Sequence, residues 1–173
     1  FFIFWEICKK DPDSFGMIMV KHRREGASYK GASMLLHEIT ARYNSHGGKT
    51  SKTGADAKSL FTDKLVYMFR SLPFFFQPII DGSDNPKSTL SLCDEAGKWT
   101  EASVEKNWEV VRSCLTLGDK IIGKCFMPST VNELEVSGGE NFKNIWFDSN
   151  IKEIDANGRT RSGMYSYFTP AYD

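Results

Sequence analysis

An apolar run of five residues, Gly16 to Val20 (GMIMV), leads into a basic, glycine-containing turn and then a helical repeat. This order constrains the chain more than any other feature in it. A short run without polar interruption fits a strand buried on both faces. After Ser28 the apolar residues Ala32, Leu35, Leu36, Ile39 and Tyr43 recur at three- and four-residue steps, the spacing of one helix face. Strand, tight turn, helix is the order that aims unpaired backbone N–H groups at an anion. The turn reads Arg23-Arg24-Glu25-Gly26-Ala27-Ser28. Gly26 lets the backbone approach a phosphate closely. Ser28 places a hydroxyl where it can ligate Mg²⁺. The lysine that usually precedes such a hydroxyl is absent, and Ala27 stands there. Lys21, Arg23, Arg24 and Lys30 are the candidate cations to offset phosphate charge; the arginines carry a planar fork suited to oxygen pairs. Read alone, the segment is also an ordinary basic turn before a helix, because the strict phosphate-loop pattern fails.

A second constellation lies downstream. Asp94-Glu95 ends the run Thr89 to Cys93 (TLSLC) and is followed by Ala96-Gly97-Lys98. Adjacent carboxylates at a strand end can split two jobs in ATP hydrolysis, Asp94 holding Mg²⁺ and Glu95 orienting the attacking water. Such pairs are common on solvated surfaces; the upstream turn is what gives this one weight. Ser129-Thr130 follows the strand expected over Ile121 to Met127, beside the Asp94 strand. A hydroxyl there can sense the γ-phosphate, or cap a helix. Gly47-Gly48-Lys49-Thr50 has the letters of a phosphate-binding end but follows a helix and lacks the upstream glycine, so it is read as a decoy. Arg159 and Arg161 read as a solvated basic loop or a finger acting on a neighbouring subunit.

The 173 residues suit one domain with a sizeable core. Basic and acidic residues balance at 22 each, so nucleic-acid binding would need a local patch. Cys8, Cys93, Cys114 and Cys125 show no CxxC spacing and fit buried reduced thiols, and the three histidines add no zinc-ligand spacing. No apolar run approaches the ~20 residues of a membrane span. Helices are expected over Phe1 to Lys10, Lys58 to Leu72 and Thr100 to Leu117. Late strands are expected over Asn144 to Phe147 and Met164 to Phe168. Ser45 to Ala55, Ile79 to Ser88 and Val136 to Asn141 read as loops, and Phe74-Phe75-Phe76 as a docking turn. Together these predict an α/β fold of the P-loop NTPase type, with a mainly parallel sheet flanked by helices. Few strand-like residues lie between the two constellations, which predicts either an unusual connection or, in preference, segments missing near Gly47 and Leu90. The first residue is Phe rather than Met, which reads as a piece of something longer.

Taken together, MVKHRREGASYKGA (19 to 32), SKTGADAKSLF (51 to 61), LPFFFQP (72 to 78), LCDEAGKW (92 to 99), MPSTVNE (127 to 133) and NGRTRSGMYSYFTPAYD (157 to 173) span nearly the whole chain. With these segments the sequence resembles the ATPase domain of the large terminase subunit of tailed bacteriophages. The flavour is that of the divergent gut and Bacteroidetes-infecting phages, including the crAss-like phages. The resemblance implies a motor that hydrolyses Mg-ATP to thread double-stranded DNA into a procapsid. It makes residues 23 to 28 a deviant Walker A motif, with Arg23 as its early basic residue and a catalytic role for that arginine. Asp94 and Glu95 become Walker B and the catalytic glutamate, and Ser129 and Thr130 the coupling motif. Implied partners are the portal protein, the small terminase subunit and further copies in a homo-oligomeric ring, with no membrane. The implied location is the host cytoplasm, transiently at the procapsid portal. Residues 1–155 would form the ATPase domain and 156–173 an exit segment toward a nuclease domain that the chain does not contain. The family's adenine-reading glutamine has no match near Phe1 to Phe15. Two other readings fit the residues: another P-loop translocase or helicase, and a capsid- or portal-docking domain with a vestigial nucleotide site.

Overall fold

In the computed structural model, residues 1–41, 45–77, 89–100, 102–130 and 137–170 are described. Five parallel strands form one sheet in the order β2-β3-β6-β1-β7. They are β1 (Gly16–Lys21), β2 (Gly47–Thr50), β3 (Leu90–Cys93), β6 (Lys124–Thr130) and β7 (Tyr165–Phe168). Two short strands, β4 (Thr116–Leu117) and β5 (Lys120–Ile121), make a separate antiparallel hairpin. The α/β, mainly parallel fold expected from the sequence is therefore present.

Alternation along the strands builds two cores, one on each face of the sheet. Met17 and Met19 of β1 join Leu90, Leu92 and Phe126 on one face, where Trp5 and Cys8 of α1 (Phe2–Lys10) and Ala32 and Leu35 of α2 (Ala27–Ala41) cover them. Ile18 points the other way and joins Cys93, Cys125 and Met127. That face is covered by Trp108 and Val111 of α5 (Val104–Cys114) and by Phe142 and Ile145 of α6 (Ser137–Phe147). Ser103 caps α5, its hydroxyl accepting the Lys106 N–H.

The helix expected over Lys58 to Leu72 starts earlier and is not uniform. It begins as α3 (Gly54–Ser59), capped by the Thr53 hydroxyl, passes through a π-helical segment over Leu60–Val66, and returns to α form as α4 (Tyr67–Ser71). Pro73 follows, and Phe74–Phe76 forms a 3₁₀ turn with all three rings exposed.

Three expectations are corrected. The polar loop of Ser45 to Ala55 contains β2, paired with β3 through Gly47–Leu90 to Thr50–Cys93. One strand, β2, therefore lies between the two constellations in the chain. The loop and strand expected over 136–147 are replaced by α6 from Ser137 onward. Ser129 and Thr130 are the last two residues of β6 rather than residues after it. The late strand expected over Met164 to Phe168 is present as Tyr165–Phe168, which pairs with β1 at the edge of the sheet. Tyr43, Val136 and the Ile79 to Ser88 loop lie outside the described residues.

Candidate functional site

Ligands of open parallel sheets sit beyond the carboxyl ends of the strands, and here three neighbouring strands, β3, β6 and β1, end together. Lys21 is the last residue of β1 and stands in register with Thr130 at the end of β6. Asp94-Glu95 follows β3 directly. Residues 74 positions apart in the chain are thereby brought into contact.

The two carboxylates have different surroundings. Both oxygens of Asp94 accept from the Ser28 hydroxyl, at 3.1 and 2.9 Å. The Trp99 indole N–H donates to the Asp94 backbone carbonyl at 3.1 Å and fixes the turn from below. Glu95 meets Lys21 Nζ at 2.8 Å through Oε1 and Lys98 Nζ at 2.8 Å through Oε2, and Oε2 also accepts from the Thr130 hydroxyl at 3.1 Å. Glu95 adopts a left-handed backbone conformation with φ of 52°, one that non-glycine residues seldom take and that recurs at functional turns. Ser129 is fully buried; its hydroxyl accepts the Gly97 N–H at 3.0 Å and donates to the Thr130 carbonyl at 3.0 Å.

Electrostatics separate the pair further. Burial raises the Asp94 carboxyl above its ordinary value, opposed by the Ser28 hydrogen bond and reinforced by Glu95. Burial also pushes Glu95 upward, but hydrogen bonds and charge from Lys21 and Lys98 outweigh it and hold Glu95 at about 2. A depressed carboxylate stabilises the fold above its unfolded value and loses that contribution as pH falls toward about 2. Asp94 has the opposite sign: its ionised form works against the fold at neutral pH. Asp94→Asn is therefore expected to raise the thermal midpoint of the ligand-free protein while removing any Mg²⁺-dependent stabilisation by ATP. Calorimetric scans with and without Mg-ATP check both halves.

The loop itself runs from His22 to Gly26. Arg24 (φ 67°) and Gly26 (φ 74°) both take left-handed conformations, and a Cβ on Gly26 would meet nothing within 4 Å. The glycine thus serves the backbone curl and leaves open space above the α2 N-terminus. Glu25 is nearly buried; Lys30 pairs with its Oε1 at 2.8 Å, and His22 Nδ1 stands 3.5 Å from Oε2. Lys30 also lies over the Phe1 ring, 5.0 Å from its centroid. Of the four candidate cations, Lys30 is committed to Glu25 and Lys21 to Glu95. Arg23 and Arg24 are exposed and form no ion pair with a described residue. Ala27 is buried as the first residue of α2.

The donors present fit a hydrated Mg²⁺ bound to a nucleotide. That ion takes one or two protein oxygens and completes its shell with water and phosphate, and Ser28 and Asp94 supply a hydroxyl and a carboxylate within 3.1 Å of each other. Among the described residues no group of three or more His, Cys, Asp or Glu side chains forms a protein-only metal cage.

The sequence reading singled out Asp94, Glu95, Ser28, Ser129 and Thr130, and the fold gathers all five. In the sequence Lys21 is one of four candidate cations, and Lys98 carries no role. Lys98 was legible as the residue three beyond Glu95, one helical turn away. The decoy behaves as structure: Lys49 lies in β2, donates to the Ala57 carbonyl and stacks over the Phe61 ring. Arg159 pairs with Asp13 at the opposite end of the sheet, and Arg161 is exposed near Asp148.

No protein-family model matches the chain, and no curated protein matches it either. Four solved chains do match. One is the ATPase domain of the large terminase of a Thermus phage, with a TM-score of 0.54 and 14% identity, covering 95% of this chain and 78% of that one. At that identity the likeness is one of fold. The chain resembles a phage large-terminase ATPase domain in its architecture, an α/β fold with a mainly parallel sheet between helices.

Proposed function

We propose that this chain is the ATP-hydrolysing motor domain of a large terminase, which drives double-stranded viral DNA into a procapsid. The observation that carries the reading is the meeting of two carboxylate sites at the carboxyl ends of the central strands: Ser28 with Asp94, and Lys21, Lys98 and Thr130 with Glu95. The terminase fold supports the motor assignment; the DNA substrate follows from the family resemblance.

Each residue has a role that the geometry supports. The α2 N-terminus and Gly26 cradle phosphate oxygens through backbone N–H groups. Ser28 and Asp94 would hold Mg²⁺, whose charge neutralises the phosphate oxygens. Glu95 orients the attacking water and stays ionised, because its low pKa keeps it a hydrogen-bond acceptor. Lys21, 6% exposed and paired with Glu95, holds that carboxylate in place and adds positive charge beside the loop. Thr130 and Ser129 tie the end of β6 to the Glu95 turn and carry the state of the site to that strand. Arg23 and Arg24, exposed on the loop, fold over the outer phosphate face. Partners on this reading are the portal protein, the small terminase subunit and a ring of copies in the host cytoplasm. No helix among the described residues is long and apolar enough to cross a membrane.

Titration of the chain with a fluorescent ATP analogue tests the reading. Wild type is expected to bind in a Mg²⁺-dependent manner, and Lys21→Met to bind roughly 10–100-fold more weakly, about 1.4–2.8 kcal/mol. Arg23→Ala is expected to cost less, since its side chain is solvated. Ala27 and the acidic Glu25 in the loop favour a second reading, a docking domain with a vestigial nucleotide site. Absence of any Mg²⁺-dependent affinity in wild type would decide for that one.

A further inference from the structure

A π-helix is normally a single-turn bulge, found frequently at functional sites; here it lasts seven residues, Leu60–Val66. Its i→i+5 bonding stacks residues five apart. Leu60 and Leu65 accordingly both enter the core, at 4% and 8% exposure. In an α-helix residues five apart diverge by about 140°, and one leucine would turn away from the core. The same winding sets Lys64 beside the loop-bearing helix. Lys64 Nζ lies 5.2 Å from the centroid of the Tyr29 ring. Tyr29 follows Ser28, whose hydroxyl is bonded to both Asp94 oxygens. Lys64 is half-buried yet forms no ion pair with a described residue; its recorded partner is an aromatic face, a weak one for an ammonium.

We propose that Lys64 is a phosphate-binding residue, the cation that the π segment delivers in cis to the terminal phosphate of the nucleotide, with the Tyr29 ring as its resting place. The inference rests on the nucleotide reading above. Three facts point the same way. The loop lacks its own lysine at Ala27. Lys21 and Lys30 are already paired with carboxylates. Lys64 alone among the lysines near the site combines partial burial with an ammonium held by an aromatic face and no carboxylate among the described residues. A flexible four-carbon stem allows the ammonium to leave the ring and reach an oxygen.

The test compares Mg-ATP and Mg-ADP binding to the full chain by calorimetric titration, in wild type, Lys64→Met and Lys64→Arg. A terminal-phosphate contact predicts a loss of about 10-fold for ATP, and less than about 3-fold for ADP, in Lys64→Met. Lys64→Arg recovers most of the loss, and thermal midpoints stay together. Equal losses for both nucleotides, or no loss, overturn the role of Lys64 while leaving the site standing. A wild-type chain that binds neither nucleotide overturns the site and this role together. Tyr29→Leu supplies the independent check: it removes the resting face, so the ATP-over-ADP preference is held or increased. A preference that collapses in Tyr29→Leu would overturn the proposal.

Discussion

Replacing Glu95 by Gln lowers ATP turnover about 10²–10⁴-fold, the usual worth of a positioned general base, and leaves Mg-ATP affinity intact or tighter. Glutamine keeps the shape of the side chain and can still accept from Thr130. It cannot hold two ammonium groups. Lys21, nearly buried, is then released from its 2.8 Å pair and is free to meet phosphate instead. Phosphate release in the assembled motor, beside nucleotide binding by the isolated chain, measures the two effects separately. Turnover equal to wild type would remove Glu95 from the reaction. Binding lost in parallel with turnover would recast it as a structural anchor for Lys21, since a buried charge without its partner is costly.

Gly16→Ala carries the largest expected effect on stability. Gly16 opens β1 with φ of 121°, and a Cβ there would stand 2.2 Å from the Cys125 carbonyl oxygen. The obstacle is backbone, and that backbone is pinned: the Cys125 N–H donates to the Phe15 carbonyl at 2.6 Å, and the Phe15 N–H donates to Gly163 at 2.7 Å. No side chain can swing aside to make room. A strained conformation and an overlap together cost about 3–4 kcal/mol, or roughly 10 °C in thermal midpoint for a chain of this length. Gly26→Ala is the contrasting case. It faces open space, so its cost comes from the left-handed conformation alone, and it should fall well short of Gly16→Ala in the same melting experiment.

Much of the site was legible because its pieces are local. A buried run ending in a basic glycine turn, and two carboxylates ending another run, are patterns within ten residues of sequence. What the sequence hid depends on distance or on context. Lys21 and Glu95 are 74 residues apart, and nothing local says that they pair. β2 was missed because Gly47-Gly48-Lys49-Thr50 has only Thr50 as a strand-forming side chain; its pairing with β3 overrides that weak preference. α6 was missed because Gly138 reads as a loop signal, whereas a Cβ there would sit 2.1 Å from the Trp99 carbonyl oxygen. That glycine exists for close packing, and Ile145-Trp146-Phe147, which looks like a strand, is the last turn of a helix. The π segment escaped because periodicity arguments assume one winding throughout; the leucines at 60 and 65 were the trace it left.

The Ser129–Gly97 hydrogen bond ties the end of β6 to the turn that carries Glu95. A Cβ on Gly97 would come within 2.9 Å of the Ser129 hydroxyl, and Thr130, one residue on, grips Glu95. The end of β6 and the carboxylate turn therefore behave as one gear tooth meshed with its neighbour. A shift of either along the strand axis stretches the hydrogen bonds to the other, so the Glu95 turn and the strand beside it are geared together.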